Sequence, residues 1–152
     1  MSAESNPANA YLRTKVLTAS PEELRLMLLD GAIKFARQGR EGLAAKDYEA
    51  SYNGISQCRN IVLELLTSIK PDPDPELATR VRAVYTFLYS ELINANLEKS
   101  TEKLDTVIRL LEYERETWAL LMQKLAEERA AAKPAPTPEP AVAAAGSLSL
   151  EG

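Results

Sequence analysis

Carboxylates are the only side chains in this sequence with the numbers and spacing for acid, base or metal chemistry. Glu112 and Glu116 stand one helical turn apart, and Glu22, Glu23 and Asp30 add acid to an earlier periodic segment. Such a set would serve a carboxylate metal bundle, but that site is completed by a Glu-x-x-His pair from each of two helices. The sequence contains 0 His, so neither pair forms and the usual general base near neutral pH is missing as well. The acids alternate with Arg109, Arg115 and Lys124, a pattern that reads as a solvated face with local ion pairs. Cys58, the one cysteine, lies on the apolar side of a helical pattern with no imidazole to activate it. It reads as a small core residue rather than a nucleophile, and alone it closes no intrachain disulfide. No Gly-rich phosphate loop or Ser-His-Asp arrangement exists. The residues therefore predict no enzyme, no catalytic or metal site and no cofactor.

The elements that carry these residues are helical. Ser20-Pro21-Glu22-Glu23 is a capping box: Ser20 accepts from the N–H of Glu23, Glu23 reaches back to the Ser20 N–H, and Pro21 takes the first helical position. From Pro21 to about Ala44 the residues Leu24, Met27, Leu28, Ala32 and Phe35 recur at spacings of three and four, widened by Leu26, Leu29 and Ile33. Gly31 within this helix implies close approach of another backbone. A second helix starts after Asp47 as N-cap and runs through Ile55, Cys58, Val62, Leu65, Leu66 and Ile69. Pro71-Asp72-Pro73-Asp74-Pro75 breaks it. Asp74 then caps a third helix whose stripe is Leu77, Val81, Val84, Leu88 and Leu92. The stretch Asn94 to Ser100 weakens the period before Leu104, Val107, Ile108, Leu111, Trp118, Leu121, Met122 and Leu125 restore it, with Ser100 or Thr101 as the cap.

Four long helices with short connections predict an all-α, antiparallel up-down-up-down four-helix bundle. The expected organisation is a mobile N-terminal segment with a short cap helix over 1–17, the bundle over 18–131, and a disordered Pro/Ala-rich tail over 132–152. The 152 residues are 45% apolar, enough for one core and too few for two domains. With 18 basic and 22 acidic residues the net charge is -4, which gives no field to attract nucleic acid or anionic lipid. There is neither an apolar run near membrane-spanning length nor a signal-peptide pattern after Met1, so no membrane insertion and a cytoplasmic location are expected.

The first three helices carry large apolar side chains outside their stripes: Leu29, Ile33, Ile61, Leu63, Tyr85, Tyr89 and Ile93. A bundle helix needs a stripe only about 100° wide. Either the surplus broadens the core or, taken together, it forms a groove for amphipathic helices of a partner.

These residues resemble the FliS family, the cytoplasmic export chaperones of flagellin. The resemblance is carried by Tyr11 and Val16, Thr18-Ala19-Ser20-Pro21, Met27-Leu28 with Asp30-Gly31-Ala32-Ile33, Leu88-Tyr89, Leu92-Ile93 with Asn94-Ala95-Asn96-Leu97, and Leu104-Asp105 with Trp118. Leu29 stands where the family motif has Tyr, and the Pro/Ala tail lies outside the shared region. The resemblance implies a bundle that binds the C-terminal segment of flagellin, prevents its premature polymerisation and assists its export, with an export-gate component as a further partner. A general helical adaptor or oligomerising bundle without a secretion role is the alternative. It further implies that the segment around Tyr11 lies over the groove and moves when client binds. Tyr11, Leu12, Val16 and Leu17 would supply its contacts, unless that segment is a fixed staple. Ile61, Leu65, Tyr85 and Tyr89 are the expected groove residues. Asn94 and Asn96 either hydrogen-bond client backbone or terminate the third helix.

Overall fold

The computed structural model describes residues 7–70 and 74–132. The tail after Ala132, residues 1–6 and the linker residues 71–73 lie outside the described residues. Five helices follow one another: α1 Pro7–Thr18, α2 Pro21–Ala44, α3 Tyr48–Thr67, α4 Pro75–Glu98 and α5 Thr101–Ala132. The chain forms two compact units, residues 1–119 and 120–152, so the unit that holds the core ends within α5. Among the described residues, no helix is long and apolar enough to cross a membrane.

Each boundary has a chemical cause. The Ser20 hydroxyl accepts from Glu23 N–H at 3.1 Å, and Ser20 N–H donates to the Glu23 carboxylate at 2.9 Å, which completes the capping box. Asp47 accepts from Ala50 N–H and Asp74 from Leu77 N–H, each at 3.1 Å. Ser100 rather than Thr101 caps α5, since its hydroxyl accepts from Lys103 N–H at 3.1 Å. The asparagines do not end α4. That helix continues through Asn94 and Asn96 to Glu98, and Lys99, in the left-handed region at φ 55°, closes it.

Side-chain pairs fix the directions. Arg40 meets Asp105 at 2.6 Å, Arg37 meets Glu112, and Asp30 meets Arg115 at 2.6 Å, so α2 and α5 run antiparallel. Tyr85 to Glu114 at 3.4 Å and Glu91 to Lys103 at 3.7 Å set α4 antiparallel to α5. The approach of Gly39 to Ile55 and of Gly31 to Ile61 does the same for α2 and α3. It follows that α3 and α4 are antiparallel too, which closes an up-down-up-down bundle.

The buried face of α2 differs from the expected stripe. Leu29, Ala32, Ile33, Ala36, Gly39 and Leu43 are buried, whereas Leu24, Met27, Leu28 and Phe35 are half-buried. Small residues cause the rotation. A Cβ on Gly42 would lie 2.5 Å from Ser51 N, and one on Gly54 would lie 2.5 Å from Gly39 N, so the α2 and α3 backbones touch at these points. Gly31 is not such a point, because its Cβ would meet only Ile61 Cδ1, at an ordinary 3.4 Å. With α2 turned this way, Leu29 and Ile33 leave the apolar surplus and enter the core, beside Ile55, Cys58, Leu88, Leu92, Leu104 and Leu111. Leu29 therefore fills a dry position where a Tyr hydroxyl would need a partner. Burial pushes the Cys58 thiol up to about 12, as suits an inert core residue.

Candidate interaction surface

The two seams that α2 makes with its neighbours are closed in different ways. Between α2 and α3 the glycines bring backbone against backbone. Between α2 and α5 runs the ladder Asp30–Arg115, Arg37–Glu112 and Arg40–Asp105. Within it Arg40 holds the Asp105 carboxyl below the usual range, first by hydrogen bonding and also by charge. Both flanks of α2 are thus satisfied from within the chain.

The flanks of α4 are not. Glu91 pairs with Lys103, so the flank it shares with Leu77, Val84, Phe87 and Asn94 faces α5. The register set by the Tyr85–Glu114 and Glu91–Lys103 pairs brings Val84 and Phe87 level with Tyr113 and Leu110. Phe87 and Tyr113 are exposed, Tyr113 at 68%. Tyr89, Ile93 and Asn96 share the opposite flank, which faces α3. There Tyr48, Tyr52 and Leu63 stand exposed along one strip of α3, with half-buried Arg59 and Leu66 between and beyond them. Lys99 lies 5.5 Å above the Tyr48 ring at the end of this strip.

The residues expected to contact a partner fall into five places. Leu65 and Tyr85 are corrected to core positions, at 0% and 1% exposure, because α3 presents Leu65 inward with Cys58 and Val62 and α4 presents Tyr85 with Leu88 and Leu92. Ile61 belongs to the seam with α2, against Gly31. Tyr89 and Asn96 border the α3 strip, while Asn94 lies on the other flank, since two residues along a helix turn a side chain about 200°. Tyr11, Leu12, Val16 and Leu17 are all exposed on α1, Leu17 at 77%. Among the described residues, no hydrogen bond or ion pair joins α1 to another helix; Thr18 Oγ1 bonds back to Thr14 O at 2.9 Å within it. The sequence reading missed Tyr48, Tyr52, Phe87 and Tyr113. Their signal was an aromatic at helical spacing opposite the buried stripe.

The core-bearing unit also has a recess at the end of the bundle where α2 and α4 begin and α3 finishes. Two cavities of about 340 and 580 Å³ share Glu22, Arg25, Ser68, Lys70 and Trp118 as lining. Trp118 is held by its Nε1–H, which donates to Glu22 O at 3.0 Å. The Glu114 carboxyl next to Tyr85 is raised by burial, against the lowering influence of the Tyr85 hydrogen bond and the Arg25 charge. Among the described residues, no three His, Cys, Asp or Glu side chains are grouped to hold a metal ion.

The all-α bundle is a fold shared with a flagellar chaperone of known structure. A solved bacterial flagellar chaperone superposes with a TM-score of 0.64 at 14% identity, covering 78% of this chain and 99% of its own. The family model described as flagellar protein FliS matches residues 4–125. The flagellar secretion chaperone FliS of Bacillus subtilis is 31% identical over 84% of this chain and 94% of that protein. Its counterpart from Salmonella typhimurium is 28% identical over 77% and 87%. The chain belongs to the FliS family of flagellar secretion chaperones.

Proposed function

We propose that this protein acts in the cytoplasm as the escort of flagellin: it binds the C-terminal segment of flagellin, prevents premature polymerisation, and presents the segment to an export-gate component. The observation that carries this reading is the apolar surface left exposed along both flanks of α4 and on α1. Contiguous apolar surface on a chain of this size marks a partner site. Strips at helical spacing suit an amphipathic helix laid in a groove. A disordered client that folds on binding spends about 2–5 kcal/mol or more on ordering, so the complex remains releasable despite a large contact.

Tyr52, Leu63, Tyr89, Ile93 and Asn96 on one side of α4, and Phe87, Asn94 and Tyr113 on the other, are the proposed client contacts. Tyr11, Leu12, Val16 and Leu17 of α1 are proposed to join them, and Tyr11→Ala is expected to weaken client binding while leaving the bundle folded. Mixing the purified chain with a flagellin C-terminal segment tests the function. Binding with a gain of helicity, and slower polymerisation of full-length flagellin, are the expected results. Absence of binding together with self-association of the chain alone would favour an oligomerising bundle instead.

A further inference from the structure

The two flanks of α4 differ in charge. On the side toward α5 stand Glu91 and Glu98, which approach Lys103 at 3.7 and 4.0 Å, while Glu76 pairs with Arg80 on the outer face. On the side toward α3 the helix presents Arg82, Tyr89, Ile93 and Asn96, a row at spacings of seven, four and three that contains no carboxylate. The facing row of α3, from Tyr48 and Tyr52 through Arg59 to Leu63, contains none either. Glu49 and Glu64 of that helix are turned outward from Tyr52 by about 60° and 120°.

The cations of this seam are not answered by acids. Arg59 and Arg82 enter no ion pair among the described residues. Lys99 lies over the Tyr48 ring and donates to Asn96 O at 3.2 Å, again without a carboxylate. Lys99 stands level with Tyr48 at one end of the seam, and Ile69 and Ala78 line one cavity at the other. That register brings Arg59 level with Leu88, and Arg82 level with Leu65. The three cations therefore follow one another along the seam at intervals of about 16 and 10 Å, close to three and two helical turns. A helix laid along the seam meets all three with one face.

Between the cations the surface is apolar, with Tyr52 and Leu63 exposed and Tyr89 and Ile93 half-buried. Three cations in a chain of net charge -4 are too few to hold a phosphate polymer. A carboxylate suits them better, since it takes two of the donors of a guanidinium side by side.

We infer that the α3–α4 seam takes an acidic amphipathic helix, its apolar face on Tyr52, Leu63 and Ile93 and its carboxylates on Arg59, Arg82 and Lys99. This rests on the escort reading and specifies its chemistry: the part of the flagellin segment that lies on this flank is acidic, and charge sets which flank of α4 it occupies.

The test uses a flagellin C-terminal segment and the same segment with its Asp and Glu changed to Asn and Gln. Each is titrated by calorimetry into the wild-type protein and into the double variant Arg59→Gln with Arg82→Gln, at about 0.05 M and 0.5 M salt. Circular dichroism serves as the fold control. At low salt the wild type is expected to bind the native segment about tenfold more tightly than the neutralised one, with the gap narrowing at high salt. The double variant is expected to bind the two alike. Equal affinity of the wild type for both segments overturns the inference and leaves the escort reading standing. A double variant that keeps the full gap overturns the assignment to this seam. Should that variant fail to fold, the two segments on the wild type decide. A wild-type protein that binds neither segment at either salt overturns both readings.

Discussion

The two flanks of α2 and the two flanks of α4 are built on opposite principles. The α2 flanks use glycine contacts against α3 and an ion ladder against α5. The α4 flanks leave Phe87, Tyr113, Tyr52 and Leu63 about half exposed, each with about 1 kcal/mol of burial still to be realised. In one small bundle, then, both helices supply core side chains, but α2 meets its neighbours through small residues and ion pairs while α4 is flanked by large exposed ones. The difference lies in residue size: small side chains where backbones must meet, large ones where nothing among the described residues covers them.

The largest effect that would break this contrast is at Gly54. Gly54→Val sets a side chain 2.5 Å from Gly39 N and 2.7 Å from Phe35 O, neither of which is a flexible tip. A loss of about 3 kcal/mol or more is expected in urea unfolding. Gly31→Ala on the same helix pair should instead be neutral or gain up to about 1 kcal/mol, because it meets only Ile61 Cδ1 and improves helix propensity. Next in size is the double change Phe87→Ser with Tyr113→Ser. It should leave the melting temperature nearly unchanged yet weaken client binding about tenfold or more, measured by calorimetry.

Two smaller effects separate the sides of α5 by the sign of their pH dependence. Asp105 has its carboxyl lowered by Arg40, so its contribution is present above the ordinary carboxylate range, near about 4, and is lost as pH falls through the folded value. Asp105→Asn should cost less than about 1 kcal/mol at neutral pH, since the pair is well exposed, and the gap from wild type should close on acidification. Glu114 has its carboxyl raised by burial, so its stabilising form is the protonated one, present below the ordinary range and lost as pH rises through the folded value. Glu114→Gln should therefore gain a few tenths of a kcal/mol at neutral pH, about the scale of a half-buried surface charge, and lose that gain in acid. Denaturant unfolding at a series of pH values reads both.

The fold was legible in the sequence because its boundaries are local chemistry. The capping box at Ser20 to Glu23, Asp47 and Asp74 as caps, and the proline run each act within a few residues. Which face of each helix is buried was less legible, because it depends on partners distant in the chain. The Gly39 and Gly42 contacts with α3 turn α2 so that Leu29 and Ile33 go inward, and no periodicity within α2 reports that. For the same reason Tyr85 reads as surplus apolar surface and Leu65, although within the stripe of its helix, as a groove residue, yet both are core. Asn94 and Asn96 read either as client contacts or as a helix end, because polar residues interrupt the stripe, yet the stop signal is the left-handed Lys99.

The most direct measurement titrates a flagellin C-terminal segment into a variant with Tyr52, Leu63, Phe87 and Tyr113 all changed to Ser. With the bundle shown to be folded by circular dichroism, affinity at least about a hundredfold below that of the wild type is expected, as several buried anchors are lost together. Unchanged affinity in a folded variant would contradict the assignment of the α4 flanks as the surface for the partner.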